Sequence, residues 1–216
     1  MGIHIFDVDY TIIRKTTAHY FIPEALAAGV IKAWQLRSLA FAWLRYKMGW
    51  ADQNFIAQSV RYLSGIDQKT LDSLAEAAFT KRMQAQVYTQ ARQLIENLQQ
   101  NGEPVYLATS SLYPLIQPLE RFLKVKDSLA TVLEFADGKA TGRLIDSAPF
   151  GCTKKTMVEA WLTSRNYKPS EVNFYSDSYT DMPLLQWCGH PVAVNPDSRL
   201  AREAARRAWT ILHFSV

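Results

Sequence analysis

Four short, mostly apolar runs, each stopping at a polar cluster, constrain this chain more than any other feature. Ile3-His4-Ile5-Phe6 runs into Asp7, and Val105-Tyr106-Leu107-Ala108 into Thr109-Ser110-Ser111. Val172-Asn173-Phe174-Tyr175 runs into Ser176-Asp177, and Pro191-Val192-Ala193-Val194 into Asn195-Pro196. Short apolar runs bounded by turn signals read as buried strands. Helical patterns lie between them, notably Val87 to Gln100, ending near Asn101-Gly102, and Lys155 to Arg165. Strands alternating with helices imply a doubly wound α/β fold, a Rossmann-like parallel sheet with helices on both faces. Ligands of such sheets sit beyond the carboxyl ends of the strands. The polar clusters after the first three runs therefore converge, although they are far apart in the chain.

Two segments break the alternation. Thr16 to Thr80 is helix-rich with no convincing strand, too long for a connection and better read as a helical insert. The expected organisation is an α/β core of residues 1–15 and 81–216 with a helical insert, 16–80. Thr131 to Ile145 carries β-like stretches around Asp137-Gly138, a hairpin signal. The chain of 216 residues, 48% of them apolar, has ample material for such a core.

Composition excludes several other classes. Two cysteines, Cys152 and Cys188, are too few for a disulfide framework and match no metal motif. Gly2 to Phe6 leads straight into Asp7, which leaves no room for a targeting segment. Arg37 and Arg45 interrupt the most apolar stretch, so no transmembrane segment is expected. These features point to a cytoplasmic protein. A net charge of +4 is compatible with anionic substrates and is weak evidence for nucleic acid.

The sharpest cluster is Asp7-Val8-Asp9-Tyr10-Thr11. Carboxylates two apart on a strand would share one face and repel. A turn after the strand separates them, so that one serves as nucleophile and metal ligand and the other as acid and base. The competing reading is a solvated acidic turn that caps a helix through Thr11. Asp177 and Asp181, four apart at the opening of a helix over Met182 to Trp187, offer the oxygens that a hard cation requires; helix capping competes for Asp181. Four converging carboxylates need a cation, and Mg²⁺ suits a site of few carboxylates plus waters and phosphate oxygens. Thr109, Ser110 and Ser111 at a strand-to-helix junction offer a phosphate cradle, or an ordinary helix cap. In Gly151-Cys152-Thr153-Lys154-Lys155, a lysine at a helix start opposes the helix dipole and suggests an anionic partner. Either Lys154 or Lys155 fits that role.

In order and spacing, Asp7-x-Asp9-x-Thr11, Thr109, Lys154 and Asp177-x-x-x-Asp181 resemble the four motifs of the haloacid dehalogenase-like hydrolases. The helical insert, the hairpin and the segment Ala193 to Leu200 are similar to subclass IB, the phosphoserine-phosphatase-like members. The resemblance implies a Mg²⁺-dependent phosphomonoester hydrolase acting on a small phosphate ester. It makes Asp7 the nucleophile and Asp9 the acid and base. Asp7, Asp177 and the Asp9 carbonyl would hold Mg²⁺, Thr109, Ser110 and Lys154 the phosphoryl oxygens, and Thr11 and Asp181 would support them. The true dehalogenases lack the second acid, so Asp9 favours phosphate esters over carbon–halogen bonds. Tyr10 stands where many members have glycine, and Thr109 where serine is usual. Thr16 replaces the glutamate that holds the amine in phosphoserine phosphatases, which argues against phosphoserine.

Between Glu24 and Asp52 there is no acidic residue, while Lys32, Arg37, Arg45 and Lys47 alternate with Trp34, Phe41, Trp43, Tyr46 and Trp50. The favoured reading is a cap helix with aromatics packed inward and solvated basic residues. The alternative is a surface for an anionic, partly apolar substrate, which leaves peripheral membrane contact open. Two non-enzymatic classes compete with hydrolysis. A phosphoacceptor switch is opposed by Asp9, whose base would make an acyl phosphate short-lived. A nucleic-acid module would rest on Arg199, Arg202, Arg206 and Arg207, more simply the outer face of a helix.

Overall fold

The computed structural model describes residues 2–35 and 54–215. Its centre is a six-stranded parallel sheet in the order β3-β2-β1-β6-β7-β8. The strands are β1 Ile3–Phe6, β2 Val105–Leu112, β3 Ser128–Thr131, β6 Val172–Ser176, β7 His190–Val194 and β8 Thr210–Leu212. β1 is central, with Ile5 opposite Tyr106 on one side and Phe174 on the other. The strand order turns in opposite directions from β1, so its carboxyl end is the switch point where such folds bind ligands.

Period-two alternation sends successive side chains to opposite faces. Phe6, Leu107, Tyr175 and Val192 enter one apolar core, beneath α4 Thr89–Gln100 and α5 Tyr113–Leu123. Ile3, Ile5, Phe174 and Ala193 enter the other, beneath α6 Cys152–Thr163, α7 Met182–Trp187 and α8 Ser198–Arg206. Burial on both faces explains why the strands read as near-continuous apolar runs.

The segment between β1 and β2 is helical where described: α1 Thr17–Ala27, α2 Asn54–Ser59, a 3₁₀ turn Val60–Leu63, and α3 Gln68–Ala78, followed by a π-helical turn Phe79–Met83. It has its own apolar cluster of Phe21, Ala25, Ile31, Val60, Leu63 and Leu71, joined by Leu115 of α5 and Leu133. The doubly wound core with an inserted helical cap is therefore present. The hairpin is β4 Leu133–Ala136 and β5 Lys139–Leu144, turned by Asp137 and Gly138 at φ 50° and 75°. Both central residues are left-handed, as a type I′ turn requires.

Several boundaries differ from the sequence reading. β2 does not stop at Ala108. Its register with β3 shifts between Ala108 and Leu112, so Thr109 to Ser111 stay extended until the helix starts at Tyr113. The helix expected from Val87 begins at Thr89, because Val87 bridges to Ile13 and Tyr88 N–H bonds the Ile12 carbonyl. The helix expected from Lys155 begins at Cys152, after Gly151 at φ 53°. β3 and β8 lie at the sheet edges and are short, and β8 is largely exposed, so neither shows an apolar run. Among the cap residues, Trp34 does not pack inward but is 66% exposed, and Lys32 is exposed. Arg37, Phe41, Trp43, Arg45, Tyr46, Lys47 and Trp50 lie outside the described residues. No helix among the described residues is long and apolar enough to cross a membrane.

Candidate active site

Three strand ends deliver the polar clusters to one place. Asp7 leaves β1 with its N–H bonded to the Tyr175 carbonyl of β6 at 2.9 Å. Its Oδ1 accepts from Lys154 Nζ at 2.8 Å, and the same ammonium donates to Asp181 Oδ2 at 2.8 Å. Lys154 and Asp181 are 4% and 2% exposed, so the pair is sealed beneath Asp7. Ser176 Oγ adds a 2.8 Å bond to Asp181 Oδ2. Lys155 turns away to pair with Glu159. Geometry thus separates the two lysines that the sequence left open: Lys154 faces the carboxylates and Lys155 the helix exterior.

Thr11 ties β1 to β6. Its fully buried hydroxyl accepts from Asp177 N–H at 3.0 Å and faces Asp7 Oδ2 at 3.5 Å and Asp177 Oδ1 at 3.4 Å. One hydrogen cannot serve both carboxylates well, and the long distances reflect that. Asp177 is further held through its carbonyl, which accepts from Asp197 N–H at 2.8 Å. Asp197 also caps α8 and accepts from Tyr179 N–H, fixing the loop that carries Asp177 and Asp181.

Asp9 points toward the insert. Its Oδ1 accepts from Thr17 N–H at the start of α1 at 2.9 Å, and its Oδ2 from Ser111 Oγ at 3.2 Å. Ser111 Oγ also meets Thr17 Oγ1 at 2.6 Å. Thr109, 1% exposed, accepts from Ser111 N–H through Oγ1 at 3.1 Å, and the Ser110 carbonyl accepts from Thr131 Oγ1. The structure therefore brings Asp7, Asp9, Thr11, Lys154, Asp177 and Asp181 together, with Thr109 and Ser110 on the adjoining strand. Sequence reasoning assigned no role to Thr17 or Ser176, and gave Ser111 a place in the phosphate cradle but not its bond to Asp9. Ser111 lay inside a recognised polar triplet, but no one-dimensional signal distinguishes it from Ser110. Tyr10 sits at φ 61°, a left-handed conformation that glycine adopts without strain.

The electrostatics leave negative charge in excess, with four carboxylates around one buried ammonium. Burial pushes the Asp7 carboxyl up to about 6, with Lys154 opposing and Asp181 reinforcing the rise. Burial and then the charge of Asp7 push Asp9 up to about 7. Asp177 is raised well above the usual carboxylate range by burial, then by Asp7 and Asp181. Burial alone would pull Lys154 down, but Asp181 and Asp7 outweigh it and hold it above its ordinary value. A cation between Asp7 and Asp177 would relieve these penalties. The described residues hold no group of three or more His, Cys, Asp or Glu side chains placed to chelate a metal. A two-carboxylate anchor completed by waters and substrate oxygens is the arrangement that suits Mg²⁺, so the donor set fits that ion.

On the insert side of Asp9 lies a cavity of about 680 Å³, reaching from Asp9, Ser110 and Ser111 to α1, α2 and α5.

A carboxylate-bearing strand at the switch point of a doubly wound sheet, with a helical insert beside it, is the architecture of a class of hydrolases. The family model described as HAD, haloacid dehalogenase-like hydrolase, matches residues 5–186. The chain belongs to that family, with the architecture of its phosphoserine-phosphatase-like members. It is 30% identical to an "Inhibition of morphological differentiation protein" of Streptomyces azureus, covering 97% of this chain and 77% of that one. It is 28% identical to a histidinol-phosphatase of Neisseria meningitidis serogroup C, with 97% of each chain covered. Among solved structures, a protein of unknown function from Bordetella pertussis Tohama I superposes with TM-score 0.87 at 24% identity, covering 97% of both chains. A substrate-bound phosphoserine phosphatase superposes with TM-score 0.73 at 16% identity, covering 98% of this chain and 92% of that one.

Proposed function

We propose that this chain is a cytoplasmic, Mg²⁺-dependent phosphomonoester hydrolase that acts on a small organic phosphate through an aspartyl-phosphate on Asp7. Residues 1–15 and 81–216 form its catalytic core, and 16–80 its cap. The observation that carries the reading is the pairing of two differently placed carboxylates. Asp7 is held by a buried lysine at the end of the central strand, while Asp9 faces the cap cavity. Bound between Asp7 and Asp177 with the Asp9 carbonyl, Mg²⁺ would supply positive charge that neutralises the phosphoryl group and keeps Asp7 ionised.

The chain's own residues perform the rest. A carboxylate oxygen of Asp7 attacks phosphorus; the new P–O bond forms as the ester P–O bond breaks. Asp9 gives its proton to the departing alkoxide, which leaves as the alcohol. It then takes a proton from the water whose oxygen attacks phosphorus, and the bond to Asp7 breaks to release inorganic phosphate. With its carboxyl raised to about 7, both protonation states of Asp9 are accessible near neutrality, as an acid that becomes a base requires. Lys154 uses two of its three N–H donors on Asp7 and Asp181, leaving one for a phosphoryl oxygen. Thr109 Oγ1 accepts from Ser111 N–H and keeps its own hydrogen free to donate.

The test is hydrolysis of a generic aryl phosphate. Activity should vanish with EDTA and return with Mg²⁺, and Asp7→Asn should abolish it while the protein stays folded. Near-full turnover by Asp7→Asn, or undiminished turnover after thorough chelation, would refute the mechanism. Phosphoserine is the second reading, favoured by the fold shared with phosphoserine phosphatases.

A further inference from the structure

We infer that the alcohol half of the substrate is an uncharged apolar body, held in the cavity between Asp9 and the cap; this rests on the hydrolase reading above. The cavity is placed for a leaving group. Asp9 lines it and Asp7 does not, so an ester anchored at Asp7 directs its alcohol past the acid into this space. The wall carries the apolar side chains of Phe21, Ile22, Ile31, Leu63, Leu112 and Leu115, while Thr17, His19, Ser59 and Tyr62 add polar groups beside Ser110 and Ser111. The apolar ones come from α1, the segments beside it, the 3₁₀ turn, the end of β2 and α5, so several separate elements turn apolar side chains to one volume.

The charges on the wall point the same way. Among its described residues the single carboxylate is Asp9, already engaged by Thr17 and Ser111. Thr16 lines the cavity too, but its hydroxyl accepts from His19 N–H as the cap of α1. Glu24, on the same helix, does not line it and is held by Lys81 and Arg82, each at 2.9 Å. Lys15, which lines it, would repel an ammonium. A substrate bearing an ammonium would leave that group desolvated without a counter-charge, an arrangement proteins avoid. An alkyl or terpenoid-like alcohol loses nothing there and gains from leaving water. Such alcohols are poor leaving groups, so the position of Asp9 at the mouth supplies the protonation they need.

The experiment measures kcat/KM with Mg²⁺ for ethyl, butyl, hexyl and octyl phosphate beside phosphoserine and histidinol phosphate. In parallel, calorimetry follows binding of the matching alkyl phosphonates, which are not hydrolysed. Burial of each methylene should raise kcat/KM roughly three- to fourfold, about a hundredfold from ethyl to hexyl phosphate. The two amine-bearing esters should fall well below hexyl phosphate. Ile22→Asn and Leu112→Asn, both at half-buried wall positions, should each flatten the chain-length profile, depressing octyl phosphate at least tenfold more than ethyl phosphate. A flat profile with measurable turnover, or preference for an amine-bearing ester, overturns the inference and leaves the hydrolase intact. Chain-length-dependent phosphonate binding without turnover of any ester supports the cavity assignment and overturns the hydrolase reading instead.

Discussion

Replacing Thr11 by valine isolates one hydroxyl that joins the ends of the strands preceding Asp7 and Asp177. Valine keeps the shape of threonine and removes only the oxygen. In the native protein that oxygen accepts from Asp177 N–H at 3.0 Å, within a fully buried side chain. Valine leaves the N–H facing a methyl group, and a stranded donor of this kind costs about 1–3 kcal/mol. The contacts to Asp7 and Asp177, at 3.5 and 3.4 Å, are too long to add much. A loss of about 2 kcal/mol lowers Tm by roughly 4–8 °C for a chain of this size. Because the same bond positions Asp177, the Mg²⁺ concentration for half-maximal activity should rise as well. Thr11→Ser keeps the oxygen and gives up one methyl group, about 0.8 kcal/mol, so its Mg²⁺ requirement should stay native. Thermal melts and Mg²⁺ titrations of both variants decide the matter. Thr11→Val with Tm within 1 °C of native (~1 °C being well under the shift expected) and an unchanged Mg²⁺ requirement would refute this account of Thr11.

Lys154→Met should abolish turnover and destabilise the fold by about 3–5 kcal/mol, since it strands the buried Asp7 and Asp181; a chemical denaturation curve overlapping the native one would contradict this. Cys152 is exposed, whereas burial pushes the Cys188 thiol up to about 12, so a thiol reagent near neutral pH should modify one cysteine in the folded protein and both in denaturant. Gly189→Ala should lower Tm, because a Cβ there would lie 2.7 Å from the Ser170 backbone and force it to move; an unchanged melt would show that the loop yields freely.

The parts of this fold that were legible in the sequence are interior strands buried over most of their length. β1, β6 and β7 lie inside the sheet, and their apolar runs end at Asp7, Ser176 and Val194 much as the polar clusters imply. The edge strands β3 and β8 are partly solvated, so no hydrophobic run marks them. Within the site, the carboxylates announced themselves because such groups rarely follow apolar strands without a reason, and Lys154, together with Lys155, because a lysine at a helix start opposes the dipole. Ser111 and Thr17 did not, since their importance lies in which atom faces Asp9 across 102 and 8 positions of chain. The extension of β2 through Thr109-Ser110-Ser111 depends on pairing with β3, a tertiary effect beyond local propensity.

The central position of β1 also bears on how the molecule assembles. A strand of four residues at the amino end has no local partner: His4 bonds Glu103 and Tyr175, 99 and 171 positions away. Closing loops of that size must precede any pairing energy, which makes such topologies slow to fold. The insert shortens the first of these searches. Its helices α1 and α3 pack on each other through Phe21, Ala25, Leu71 and Ala75, contacts made within the insert itself. Once collapsed, it brings the ends of the insert together, with Ile13 bridging Val87 directly beneath it. The element that lies over the chemistry thus also closes on itself, returning the chain beside the end of β1 before β2 begins.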